Sequence, residues 1–443
     1  MKMKKYEKYK SSGVDWIGVI PEHWKLQRLK EVMNFQGGYA FSSNDYIEQG
    51  VQVILIGNLY QNQLSLERNP TFVNNAFLKK HSRFKVTKGD VLMSLTGTLG
   101  KKDYGFAILL KTEKEYLLNQ RVAKLNCNKD LDVNFIIYML QSEHFTSELL
   151  TLPKGTKQGN LSEEQIMSMV IPLLTLSEQT TIASYLDAKT SAIDRKVSLL
   201  EQKITHYQQL RKSLINETVC RGLDKNVRFK DSGIQWIGRI PEHWDVKRLK
   251  DVCGFINRGT SPTYDETGFF KVVNQATFSK GFWDESSLRF SQSLEVKPRG
   301  LLKENDILIA STGGGVLGKL YFFTRKESGY IADSHITILR DNRKNYFAKY
   351  VYYYFSEKFK LINDILAKGS TNQTELQKDW LLGFFICIPP QPEQTAIASY
   401  LDETTQKIDL IITNITTQIA TLRELRKTLI NDVVTGKLKV TNP

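Results

Sequence analysis

The chain states one pattern twice. Lys10 to Val32 and Lys230 to Val252 align without a gap at an offset of 220, with 15 of 23 positions identical. Both contain Trp-Ile-Gly-x-Ile-Pro-Glu-His-Trp. Ser177 to Leu223 and Pro392 to Leu438 align at an offset of 215, again ungapped, with 21 identities in 47. The stretches between, Lys25 to Ile171 and Asp245 to Ile388, hardly resemble each other. Such a duplication constrains the fold to two equivalent frames, each carrying its own insert. One geometry then presents two different surfaces.

A chain of 443 residues has room for roughly two to four domains. With 61 Lys+Arg against 47 Asp+Glu, the net charge of +14 favours an anionic partner, nucleic acid ahead of a membrane surface. A plain basic soluble protein is the alternative that charge alone leaves open. Cys127, Cys220, Cys253 and Cys387 are scattered with no C-x-x-C pair, which argues against a zinc ribbon or a disulfide framework. That usage fits a reducing compartment. The basic start MKMKKYEKYK has no apolar stretch behind it, so it does not read as a signal peptide. The longest apolar run, Leu381 to Ile388, is too short to span a bilayer. A soluble, cytoplasmic protein without cofactor or metal is the expectation.

Each half runs in the same order: Pro-Glu-His-Trp segment, variable insert, long helix. The expected division is 1–174, 175–222, 223–389 and 390–443. The inserts read as mixed α+β. In the first, Val51–Ile56, Val91–Leu95 and Phe106–Leu110 suit strands and Asp132–Gln141 a helix. In the second, Phe269–Val273, Ile307–Ala310, Tyr321–Thr324 and His335–Leu339 suit strands, and Tyr346–Lys360 an aromatic helix. Lys88-Gly-Asp-Val-Leu faces Glu304-Asn-Asp-Ile-Leu, and both run into a glycine-rich turn. The inserts read as homologous folds with divergent surfaces.

The long helices carry an apolar seam. It runs Leu186, Ile193, Val197, Leu200, Ile204, Tyr207, Leu214 in one copy and Leu401, Ile408, Ile412, Ile415, Ile419, Leu422, Leu429 in the other. Steps of three, four and seven are those of a coiled coil. About forty residues make a rod of roughly 60 Å. One such helix cannot bury its seam alone, but two matching seams can bury each other, most simply as an antiparallel pair related by an internal pseudo-two-fold. Packing of each helix on its own insert is the alternative. Before each helix lies a polar loop, Pro153 to Leu161 and Ala367 to Leu376, with Lys-Gly-Thr or Lys-Gly-Ser followed by amides. Lysine neutralises phosphate and amides reach base edges; a helix-capping loop is the plainer reading.

The order Trp-Ile-Gly-x-Ile-Pro-Glu-His-Trp, variable region, Gly-Ser/Thr loop, Ile-Pro, Glu-Gln, Ile-Ala-x-Tyr-Leu-Asp and Leu-Arg-Lys-x-Leu-Ile, given twice, resembles the DNA-specificity subunit of type I restriction–modification systems. The resemblance covers nearly the whole chain. It implies two α+β target-recognition domains separated by a pair of long antiparallel coiled-coil helices. Each domain would read one half of a split, asymmetric double-stranded DNA site. The helices would set the spacing and dock two methyltransferase subunits, and restriction (motor-nuclease) subunits would join the full complex. The specificity subunit itself does no chemistry.

Several stretches mimic chemistry. Gly313 to Lys319 has P-loop spacing, but Leu320 stands where a magnesium-holding Ser or Thr belongs. A glycine turn between strands is the better reading. The Asn/Asp-Pro-Pro-aromatic motif of an adenine methyltransferase is missing. His23 and His243 sit at the same place in the repeat, in a segment that reads as packed structure or partner docking. Tyr352 to Phe355 could stack bases but reads first as helix packing. Loop position and residue type nominate Lys101, Lys102, Gln120, Arg121, Lys154, Thr156, Lys157, Gln158 and Asn160 for DNA contact in the first half. In the second they nominate Arg258, Thr260, Ser261, Lys319, His335, Lys368, Ser370, Thr371, Asn372 and Gln373. Gln120-Arg121 occupies the place that Asp333-Ser334-His335 takes in the other insert. The rival classes are a self-contained methyltransferase or nuclease fusion, and a helical adaptor that binds only proteins.

Overall fold

Two helices, Leu176–Arg221 and Gln391–Val434, run through the molecule. The computed structural model describes residues 4–153, 157–292, 298–313, 315–341, 347–358, 367–368 and 375–440. The chain forms two compact units, 1–201 with 417–443, and 202–416. Each unit therefore holds one insert, a length of its own long helix and a length of the other. Every seam residue is buried or half-buried, with Leu186 and Leu401 fully enclosed.

In the first unit the helix segments run antiparallel: Arg426 Nε reaches Asp194 Oδ1 at 3.0 Å and Arg423 reaches Glu201 at 2.7 Å. The second unit repeats the first of these contacts at positions 215 residues away, with Arg211 Nε on Asp409 Oδ1 at 3.0 Å. These pairs are partly exposed and contribute about 0–1 kcal/mol each. They fix register, while the buried seam supplies stability. The pairs also account for two motifs: the arginine of Leu-Arg-Lys in one helix meets the aspartate of Ile-Asp in the other.

The repeated motifs fasten helix to insert by the same contacts in both units. Gln179 is buried; its Nε2 donates to Leu174 O and Asp130 O at 2.9 Å, and its Oε1 accepts from Asp132 N at 2.8 Å. Gln394 donates to Pro389 O at 2.9 Å and accepts from Phe347 N at 2.8 Å. Tyr138 donates to Asp187 at 2.6 Å, as Tyr353 does to Asp402 at 2.6 Å. Burial and the bond to Asp187 push the Tyr138 hydroxyl up to about 12, so it donates throughout the neutral range. Trp24 and Trp244 are fully buried. His23 and His243 pair with Glu178 and Glu393 at 2.8 and 2.7 Å. The Pro-Glu-His-Trp segment is thus a packed structural joint in each half.

A two-stranded ladder closes each insert. Lys25–Arg28 pairs with Val170–Leu173, and Asp245–Arg248 with Phe385–Ile388. Within the first insert, Ala107–Leu109, Val91–Ser94, Val122–Cys127 and Met33–Gly37 form a four-stranded antiparallel sheet in that order. Ile307–Ala310 lies at the matching place in the second. All four residues of Val91–Ser94 and all four of Ile307–Ala310 are buried. Because side chains alternate along a strand, Val91 and Met93 enter the core that holds Trp24, while Leu92 enters another with Ile54 and Leu118. Ile307 and Ile309 likewise join Trp244, and Leu308 and Ala310 join Phe278 and Phe323. One sheet therefore divides a repeated frame core from an insert-specific outer core.

The Lys88–Leu92 and Glu304–Leu308 parallel is a shared turn. Gly89 has φ +92° and Asn305 φ +71°, a left-handed conformation that Gly and Asn tolerate best. The aspartate that follows caps each turn, Asp90 accepting from Thr87 N at 2.8 Å and Asp306 from Lys303 N at 2.7 Å. The observed elements match the expected ones to within a residue or two at most ends. The helix expected over Asp132–Gln141 spans Val133–Gln141, beginning after Asp132, which caps it. The aromatic helix is shorter than expected, Ala348–Ser356. Its Tyr350, Tyr353, Tyr354 and Phe355 are buried, so the tyrosine run is core. Cys127, Cys220, Cys253 and Cys387 form no disulfide with one another. Among the described residues no helix is long and apolar enough to cross a membrane.

Candidate nucleic-acid interface

Four backbone segments meet at one edge of each insert, and the same hydrogen bonds hold them in both. In the first unit Leu95 is the hub: its N–H donates to Arg121 O at 3.0 Å and its carbonyl accepts from Leu161 N at 2.9 Å. In the second unit Ser311 donates to His335 O at 2.8 Å and accepts from Leu376 N at 2.9 Å. Tyr39 N donates to Leu118 O at 2.8 Å, and Thr260 N to Ala332 O at 2.9 Å. Gly38 and Gly259 make that approach possible; a Cβ on either would lie 2.1 Å from the carbonyl oxygen of Asn119 or Asp333.

The turn at Asn119–Arg121 and Asp333–His335 is set by an Asx side chain. Asn119 Oδ1 accepts from Arg121 N at 3.2 Å, and Asp333 Oδ1 from His335 N at 2.9 Å. Asn119 and Asp333 are buried, whereas Arg121 and His335 are exposed. Burial pushes the Asp333 carboxyl up, and its bond to the His335 amide pulls against that. A buried turn-holder thus presents a different polar side chain in each half.

Next to this turn in the first unit, Thr96–Thr98 pairs antiparallel with Gln158–Asn160. Gly97 and Gly159 face each other there, and Tyr104 fills the space; a Cβ at Gly159 would sit 2.2 Å from its hydroxyl. Lys101, Lys102, Gln120, Lys157, Gln158 and Asn160 are exposed around the ladder. Leu99 N donates to Lys157 O at 3.2 Å and Lys101 N to Thr98 O at 3.0 Å, so the two loops stand side by side. Lys102 is 3.7 Å from Glu143. Lys154 and Thr156 lie outside the described residues.

The second unit distributes its nominated residues less evenly. His335 and Ser261 are exposed. Thr260 is buried at 7% exposure, with Oγ1 enclosed and facing no partner; its neighbour Gly300 packs against it, so its side chain is not presented. Arg258 is a fastener: its guanidinium donates to Ser334 O at 2.9 Å and Glu375 Oε1 at 2.7 Å. Lys319 Nζ donates to Ser279 O at 2.6 Å. The amides of Val316, Leu317, Gly318 and Lys319 all bond to carbonyls of the turn or its strand, unlike a phosphate cradle. Ser370, Thr371, Asn372 and Gln373 lie outside the described residues, as does the Lys368 side chain. Sequence reading missed Gln275 and Thr312, which bond to each other at 2.8 Å beside His335. No local motif marks either; only the tertiary meeting of three segments does.

A repeated frame that presents two unlike polar edges defines a duplicated recognition scaffold. The chain belongs to the type I restriction–modification DNA specificity family, whose domain matches it twice, at residues 21–205 and 241–421; it is a specificity subunit with two target-recognition domains. Among curated relatives, the MjaX specificity subunit of Methanocaldococcus jannaschii is 24% identical over 434 residues, covering 96% of each chain. The MjaVIII subunit of the same organism is 28% identical over 209 residues, 47% of this chain and 48% of that one. This chain thus spans about half the length of MjaVIII and nearly all of MjaX. A chain from a solved type I restriction–modification assembly shares the fold with a TM-score of 0.72 at 17% identity, covering 94% of this chain and 98% of its own. The HsdS subunit from Thermoanaerobacter tengcongensis gives 0.55 at 17%, covering 95% and 98%.

Proposed function

We propose that this chain reads a split, asymmetric sequence in double-stranded DNA, one half with each insert. In this reading 1–174 and 223–389 are the readers, and 175–222 and 390–443 hold them at a constant separation and dock two methyltransferase subunits. Restriction subunits with motor and nuclease activity complete the assembly, and this chain contributes recognition without catalysis. The observation that carries the proposal is the Asx-held turn: one backbone geometry in both units, with arginine at one tip and histidine at the other. Different donors on the same support select different bases, and half-site spacing set by protein geometry is the logic of paired DNA readers.

Lysines on the first edge position DNA by neutralising phosphates. Replacing Lys101, Lys102 and Lys157 together with alanine is expected to weaken binding to all sequences alike. The slope of log affinity against log salt should fall by about 0.9 for each phosphate that is no longer neutralised. Fluorescence anisotropy of the chain with its methyltransferase partner, on specific and random duplexes at several salt concentrations, measures this. An unchanged slope would remove these lysines from the interface.

A further inference from the structure

In the second unit Gln275, Thr312 and His335 form a closed hydrogen-bond chain. Gln275 Nε2 lies 2.8 Å from His335 O and 2.8 Å from Thr312 Oγ1. A carbonyl oxygen only accepts, so the atom against it is the amide nitrogen, and both of its protons are engaged. Thr312 accepts one of them and keeps its own hydroxyl proton to donate. His335 Nδ1 faces that hydroxyl at 2.9 Å. With the threonine proton directed to Nδ1, that nitrogen is the acceptor of a neutral ring and the ring proton sits on Nε2. The backbone is held as well: His335 N donates to Asp333 and its carbonyl accepts from Ser311 N. The ring itself is exposed.

We infer that Gln275 and Thr312 are positioning residues that fix His335 as an Nε2–H donor, so that the second domain selects a base with a hydrogen-bond acceptor on its major-groove edge. Guanine offers N7 and O6, adenine N7 and thymine O4, whereas cytosine turns an amine donor to the groove. Cytosine is therefore rejected at the position His335 faces. The first unit lacks the device: Ile56 stands where the second has Gln275, following the strand Val51–Ile54 as Gln275 follows Phe270–Val273. Its exposed tip is Arg121, a permanent cation that needs no tautomer set for it. The inference rests on the proposal above that this edge faces DNA.

The test uses the full chain with its methyltransferase partner and a duplex carrying the sequence found modified in cells. Analogues lacking one acceptor at a time are placed through the second half-site: 7-deazapurines, 2-aminopurine for guanine, and 5-methyl-2-pyrimidinone for thymine. Wild type is expected to lose roughly three- to tenfold in affinity at one position, the weight of one hydrogen bond. His335→Ala should show no such penalty there, and Thr312→Val and Gln275→Leu a reduced one. Nitrogen-15 spectra of the neutral ring should place the His335 proton on Nε2 in wild type and show a mixture of the Nδ1–H and Nε2–H tautomers in Thr312→Val. Retention of every penalty by His335→Ala, or a proton on Nδ1 in wild type, would overturn the inference while leaving DNA reading intact. Failure of wild type to prefer the modified sequence over random duplex would overturn both.

Discussion

Arg340→Leu is expected to destabilise the second unit by about 3–5 kcal/mol, the usual cost of stripping one partner from a buried ion pair. Asp306 is fully buried. Arg340 grips it twice, Nε on Oδ1 and Nη2 on Oδ2 at 2.6 Å each, and also donates to Leu301 O at 2.7 Å. The guanidinium lies 4.8 Å from the Phe255 ring centroid. Burial pushes the Asp306 carboxyl up, and Arg340 opposes that push. Leucine would leave a carboxylate enclosed between the two cores. Urea unfolding should show the transition of the second unit moving to lower denaturant while that of the first stays in place. Replacing both residues with apolar side chains should recover most of the loss, because the desolvation cost then disappears. A single substitution costing under about 1 kcal/mol would mean the pair is solvated and not buried as described.

Gly436→Val should cost the first unit about 2–5 kcal/mol, though it lies only a few residues from the end of the chain. Gly436 has φ +77°, and a Cβ there would sit 2.4 Å from Pro21 Cδ and 2.9 Å from Trp24 Cζ3. The left-handed backbone costs a side chain roughly 1–2 kcal/mol, and overfilling a packed joint adds roughly 1–3 kcal/mol. Neither the proline ring nor the buried tryptophan can move aside freely. Leu429, Ile430, Val433 and Val434 belong to the same core as Trp24, and Lys439 pairs with Lys4 in an isolated bridge. The end of the second long helix is thus structural to a unit built mainly from the start of the chain. Gly222, at φ +75°, plays this part beside Trp244, but its nearest neighbour is farther, at 3.1 Å. Gly222→Val should therefore cost less. Thermal unfolding of the two variants decides; equal and negligible shifts would contradict the packing.

The frame is legible because it is written twice. Repetition marks the tryptophans, the Glu-Gln pair, Tyr-Leu-Asp and the seam as one machine without knowledge of a single contact. What sequence does not supply is pairing. Asp194 and Arg426 are far apart in the chain and become partners only when the helices run antiparallel. Gln179 looks like a surface amide at a helix start and is in fact a buried pin. The edge is partly legible. Arg121 and His335 fall at equivalent tips because their neighbours Asn119 and Asp333 make the same turn. The nomination of Arg258 and Thr260 rests on loop position and residue type, and neither says which way a side chain faces. One is consumed by Ser334 and Glu375, and the other is buried under Gly300. Gln275 and Thr312 carry no local signature, since their role exists only where three segments converge.

The central claim is that one frame presents two different readers. Sequencing of methylated bases in DNA from cells carrying this chain with its partner subunits tests it directly. The account predicts modification at a sequence in two unlike parts, separated by a spacer of constant length. A continuous or palindromic modified sequence would contradict it.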